Sequence, residues 1–147
     1  FVETGSDAQL ASMAKARGAA LVDLNLDGLL DIVVVNREAD LEIYQNKSNI
    51  NGNWLLLNLH QSGPNPQAVG AWIEISANGK SIHREITIGG GHASGTAGFE
   101  HFGLGPTNDI KLRIVWPNGP TSEWQNISVN AAFQIERKDS EFAILPR

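Results

Sequence analysis

Nine residues, Asp23-Leu24-Asn25-Leu26-Asp27-Gly28-Leu29-Leu30-Asp31, constrain this chain more than any other stretch. Oxygen-bearing and apolar residues alternate up to a glycine, with apolar runs leading in (Ala19-Ala20-Leu21-Val22) and out (Ile32-Val33-Val34-Val35). The side-chain oxygens of Asp23, Asn25 and Asp27 can turn inward together, and Gly28 permits the sharp bend that follows them. The Leu29 carbonyl then faces the centre, and Asp31 closes the ring. Ca²⁺ takes about six to eight oxygen ligands in a flexible cage, and this loop supplies most of them. An EF-hand would carry its closing Glu where Val34 stands, and helices would flank it. β-branched runs flank this loop, so the expectation is a strand–loop–strand calcium site built on Asp23, Asn25, Asp27, the Leu29 carbonyl and Asp31. The plainer alternative is an acidic hairpin turn. Three neighbouring carboxylates repel one another unless they are solvated or share a cation. Leu24, Leu26, Leu29 and Leu30 are too apolar for a freely solvated tip.

A chain of 147 residues suits one domain, or one domain and part of another. The net charge of −5 leaves no basic stripe to neutralise phosphates, which argues against a nucleic-acid partner. No apolar run approaches the ~20 residues that cross a bilayer, so no membrane insertion is expected. Cysteine is absent, which removes thiol catalysis and Cys-ligated zinc. Calcium held at modest affinity belongs where the ion is plentiful, so the expected location is extracellular or periplasmic. The chain opens at Phe1 with neither Met nor a signal peptide, which reads as a piece of something larger.

Residues 1–17 read as a connecting loop, and residues 18–22, 32–35 and 41–45 as three short strands around the acidic loop. This is about one propeller blade without its first strand, and a single blade cannot bury its own faces. Residues 47–53 form a turn-rich linker. From Trp54 onward, strands are expected over 54–60, 71–75, 81–88, 110–116, 121–127 and 132–136, with another beginning near His101. Asn78-Gly79 supplies a type I′ hairpin turn. Period-two alternation between turns predicts an antiparallel sandwich or barrel-like domain over residues 54–147, and no stretch has helical periodicity. The fold class is therefore all-β: a partial propeller-like blade with a calcium loop, then an antiparallel β-sandwich.

Residues 18–46 resemble the FG-GAP/VCBS calcium repeat, on the Asp-x-Asn-x-Asp-Gly-x-x-Asp loop and the ending Ile43-Tyr44-Gln45-Asn46. Residues 54–137 resemble the ASPIC/UnbV domain that follows such repeats in cartilage acidic protein-type extracellular proteins. The matching positions are Val69-Gly70-Ala71, Gly89-Gly90-Gly91, His101-Phe102-Gly103-Leu104-Gly105 and Trp116-Pro117-Asn118-Gly119. The Gly-rich loop departs from the family at His92-Ala93-Ser94-Gly95, where an aromatic residue is usual before the serine. The resemblance implies a C-terminal part of a larger protein, with other propeller blades or other protein chains as partners. The implied function is a non-catalytic adhesion or scaffold module with structural Ca²⁺.

Two other classes of function compete. His83, Glu85, His92, Glu100 and His101 contain the makings of a two-His, one-carboxylate metal site, so a metal-dependent hydrolase or lyase on His92, Glu100 and His101 is one alternative. It requires those side chains to converge, and no helical His spacing supports it. The run Gly91-His92-Ala93-Ser94-Gly95 lacks the lysine of a phosphate loop and the residue order of a nucleophile elbow. The second alternative is a carbohydrate-binding module using exposed members of Trp54, Trp72, Trp116 and Trp124. The strand positions favour burial for at least two of the four, as core filling with a partnered indole N–H.

Overall fold

The protein, described by a computed structural model over residues 2–49, 52–92, 94–95, 98–138 and 141–146, is built of strands with no helix among the described residues. Three strands come first: β1 (Lys15–Val22), β2 (Asp31–Arg37) and β3 (Glu42–Tyr44). They form an antiparallel meander in the order β1-β2-β3, with a register shift between Ala16 and Gly18. The Ser12 hydroxyl hooks the preceding segment to β3 through Glu42, 2.6 Å away. That hydrogen bond, and then the one from the Tyr44 hydroxyl, hold the Glu42 carboxyl below its ordinary range.

Eight further strands make two sheets. β4 (Asn53–His60), β7 (Glu100–Gly105), β10 (Ala131–Lys138) and β11 (Glu141–Pro146) lie in the order β11-β10-β4-β7. β5 (Trp72–Ala77), β6 (Lys80–Glu85), β8 (Ile110–Val115) and β9 (Gln125–Asn126) lie in the order β6-β5-β8-β9. Alternation decides which residues meet between them. Ile73 and Ile75 of β5, Ile110, Leu112 and Ile114 of β8, and Leu55, Leu57 and Leu59 of β4 share one core with Phe102 and Ile135. The arrangement is that of a β-sandwich. β4 is apolar from Trp54 to Leu57 because both its faces are covered there: Leu55 and Leu57 enter the core, while Leu56 is buried on the opposite side.

Several boundaries differ from the sequence expectation. β1 begins at Lys15, three residues before the anticipated start, and the return strand of the Asn78-Gly79 hairpin ends at Glu85. Ile86 then pairs with Ala71 through its N–H, while Ile88 is exposed. Arg84 breaks the alternation of β6 because that strand lies at a sheet edge. Its guanidinium reaches the other sheet, over Phe102 and onto the His101 carbonyl at 2.7 Å. Residues 121–127 yield only a bridge at Thr121 and the two-residue β9. β11, whose Phe142 and Ile144 alternate toward the core, was not among the expected strands. The pairing is not wholly antiparallel either. β10 runs parallel to β4, because the chain between them carries β5 to β9 before returning to the first sheet.

Asn78 and Gly79 have φ of 48° and 72°, the two left-handed values a type I′ turn demands. At Trp116-Pro117-Asn118-Gly119 the indole is buried and Arg137 lies over its ring at 5.5 Å. A Cβ at Gly119 would meet the far end of that guanidinium, so a side chain there requires Arg137 to shift.

Candidate functional site

The acidic loop joins β1 to β2 and is organised by its own carboxylates. Asp23 is buried and accepts from the N–H groups of Asp27 at 3.1 Å and Gly28 at 2.8 Å. Asp31, also buried, accepts from Leu24 N at 3.2 Å and from Asn46 N at 2.8 Å. Asp27 accepts from Leu29 N and from the Asn25 side-chain amide, both at 2.8 Å, so the third and fifth side chains of the loop lie together. Leu26 and Gly28 take left-handed backbone, with φ of 60° and 88°. Asn46 adds a second clasp, from its amide to the Leu30 carbonyl at 3.2 Å. The terminal Asn of the repeat-like segment therefore closes the loop from 15 residues away.

Burying a carboxylate costs several kcal/mol unless it is paired or well hydrogen-bonded. Backbone N–H groups meet part of that cost here. No Lys or Arg among the described residues forms an ion pair with Asp23, Asp27 or Asp31. The donor set of carboxylates, an amide oxygen and backbone carbonyls is chemically fitted to a hard cation. Among the described residues no three His, Cys, Asp or Glu side chains stand together as a ready-made metal cluster. In the geometry described here, the carboxylates are spread over backbone donors.

The loop docks on the sandwich at two points that the sequence did not foretell. His101 Nε2 of β7 donates to the Gly28 carbonyl at 2.8 Å. The Trp54 indole of β4 lies so close to Gly28 that any Cβ there would fall inside the ring. Beside these contacts, a cleft of about 940 Å³ separates β1 and β2 from β4, β7 and the Gly-rich segment. Among the described residues every buried hydrophobic side chain belongs to residues 55–142, and Leu21, Val35 and Ile43 of the three-stranded sheet are about half exposed.

The histidines and carboxylates proposed as a hydrolytic centre do not converge. Glu100 is engaged by Arg84 at 3.2 Å, His101 by the Gly28 carbonyl, and His83 by Glu74 at 3.3 Å. Glu85 stands opposite Trp72 on the same outer face as His83, the other side of β6 from Arg84. His92 is exposed, and Ser94 Oγ donates to the Gly90 carbonyl at 2.7 Å. Ala93 of this segment lies outside the described residues. Among the described residues no nucleophile–base pair is assembled: Glu100, His101, His83 and Ser94 each have another partner, and His92 is exposed apart from them.

The tryptophans divide differently from expectation. Only Trp116 is fully buried, and its indole N–H has no hydrogen-bond partner among the described residues. Trp54 is half-buried against the acidic loop, whereas Trp72 and Trp124 are exposed on the outer side of the β6-β5-β8-β9 sheet.

Similarity to known proteins agrees with the sandwich. Cartilage acidic protein 1 of Xenopus tropicalis is 28% identical over 109 residues, covering 71% of this chain and 17% of its own length. Cartilage acidic protein 1 of Homo sapiens is 26% identical over 109 residues, covering 71% of this chain and 16% of its own. The chain thus spans about a sixth of the length of these relatives. Residues 61–142, more than half of the chain, match the sequence model described as ASPIC and UnbV, a span that starts just after β4. On that match, the chain belongs to the ASPIC and UnbV family.

Proposed function

We propose that this chain is a non-catalytic, extracytoplasmic interaction module whose acidic loop holds a structural Ca²⁺. Asp23, Asn25, Asp27, Asp31 and the Leu29 carbonyl would be the ligands. The carrying observation is the burial of Asp23 and Asp31 without a basic side chain paired to either among the described residues. When bound, the ion neutralises charge that the fold otherwise leaves to backbone N–H groups. The chain's own residues do the rest. Gly28 turns the backbone, Asn46 clasps Asp31, and His101 with Trp54 seats the loop on β7 and β4.

In this reading residues 1–46 are part of an FG-GAP/VCBS-type repeat, 47–53 a linker and 54–147 the ASPIC/UnbV-type domain. The half-exposed Leu21, Val35 and Ile43 favour further blades or another protein chain as the partner of the three-stranded sheet. An extracellular setting is favoured by the relatives, which are named for cartilage. A scaffold role is favoured over hydrolysis because Glu100 and His101 are held by Arg84 and Gly28.

The test is thermal unfolding with Ca²⁺ and with EGTA. A ligand at a hundredfold its Kd stabilises by about 2.7 kcal/mol, so the midpoint of the transition that unfolds β1 to β3 and the loop should rise by roughly 5–10 °C. Asp27→Ala should abolish most of that rise. An unchanged midpoint, together with no heat of Ca²⁺ binding by calorimetry, would remove the ion from the account.

A further inference from the structure

The outer face of the β6-β5-β8-β9 sheet carries side chains that neither the calcium loop nor the core uses. Residues opposite one another in register point to the same side. On this side Glu85, Trp72 and Val115 form one row, and His83, Glu74 and Arg113 the next. Trp124 extends the second row: the Arg113 guanidinium lies 4.6 Å from its ring centroid. Trp72 is 42% exposed and Trp124 38%, while Glu74 between them is mostly covered. Glu74 is held from both sides, by Arg113 Nε and by His83 Nδ1 at 3.3 Å.

We propose that this face binds a neutral oligosaccharide, with Trp72 and Trp124 as stacking platforms, Glu74 and Arg113 as the hydrogen-bonding groups between them, and His83 beyond Glu74 on the edge strand. A sugar ring has apolar C–H faces and a rim of hydroxyls. It therefore pairs with flat aromatic surfaces that have planar donors and acceptors beside them. Trp124 rests one ring face on Arg113, which leaves the other for a ligand. The two tryptophans stand two strands and two residues apart, about 12 Å by sheet spacing and rise, the reach of a short oligosaccharide rather than one ring.

The composition selects this occupant. A protein-docking patch has a contiguous apolar centre, whereas here the Glu74–Arg113 ion pair lies between the aromatics. Glu74 and Arg113 offset one another, so the face offers no net field to draw an anionic glycan. The ion pairs also fix the polar groups before binding, which lowers the ordering cost.

The experiment is native affinity electrophoresis of the full chain through gels containing hydroxyethylcellulose, laminarin, xylan or galactomannan, with alginate as the anionic control. At least one neutral polymer should retard the chain, and Trp72→Ala or Trp124→Ala should each weaken binding at least about tenfold. Circular dichroism of both variants should match the parent, and Trp116→Phe, altered inside the core, should keep affinity. Retardation by none of the four neutral polymers overturns the proposal. So does retardation that survives the double substitution, or retardation by alginate alone. Self-association abolished by the tryptophan substitutions, without glycan binding, would assign the face to a second copy instead and also overturn it. EGTA should leave retardation unchanged, so this result stands or falls apart from the calcium reading.

Discussion

Gly28 combines two demands in one residue. Its φ of 88° falls where side chains are disfavoured, and the Trp54 indole occupies the space that a Cβ would need. Gly28→Ala should therefore destabilise the seating of the loop by about 1–3 kcal/mol, through backbone strain and collision together. Trp54 provides the readout, since its fluorescence should shift toward solvent-exposed emission as the loop lifts away. An unaltered spectrum and urea midpoint in this variant would mean that loop and indole are not in firm contact. Asn46 shows a similar economy, giving one N–H to Asp31 and its amide to the Leu30 carbonyl.

Among the elements, β4 and β2 look alike as sequence and differ in the fold. Both are apolar runs, yet Leu55, Leu56 and Leu57 are buried while Val35 of β2 is 45% exposed. β4 is flanked by β10 and β7 and covered on both sides, whereas β2 lies in a sheet that meets the rest across a cleft. Leu57→Ala should accordingly cost about 2–5 kcal/mol in chemical denaturation. Val35→Ala should stay within about 1 kcal/mol, as expected of a partly exposed position. Equal costs at the two sites would indicate that the three-stranded sheet is as well packed as the sandwich.

At the scale of the whole molecule, stability should be uneven, because among the described residues those in 55–142 contain all the buried hydrophobic side chains. Hydrogen exchange should divide accordingly. Amides of β1 to β3 should exchange through local opening, and those of β4 and β8 only near global unfolding. If the loop takes Ca²⁺, adding the ion should slow β1 to β3 selectively, since binding stabilises the state in which the loop is formed. Uniform slowing across all three sheets, or protection of β2 equal to that of β8 without the ion, would contradict this division.

Local chemistry was enough to announce much of the fold. Alternation in β5 and β8, Asn78-Gly79 at the hairpin, and the Asp-Asn-Asp-Gly loop between β-branched runs each act through neighbours a few residues away. The placing of these strands, of the hairpin turn and of the loop between two strands was therefore readable without the tertiary fold. The parallel seat of β10 on β4 was not, because Phe133 meets Leu57 only after the chain has built β5 to β9. The sequence allowed His83, Glu85, His92, Glu100 and His101 to meet, and tertiary structure decided that they do not. Glu100 went to Arg84, and His101 to a carbonyl 73 residues away. Composition gave four tryptophans, but a side chain's exposure depends on what packs over it. Only the assembled sheets could bury Trp116, set Trp54 against Gly28 and leave Trp72 and Trp124 facing solvent.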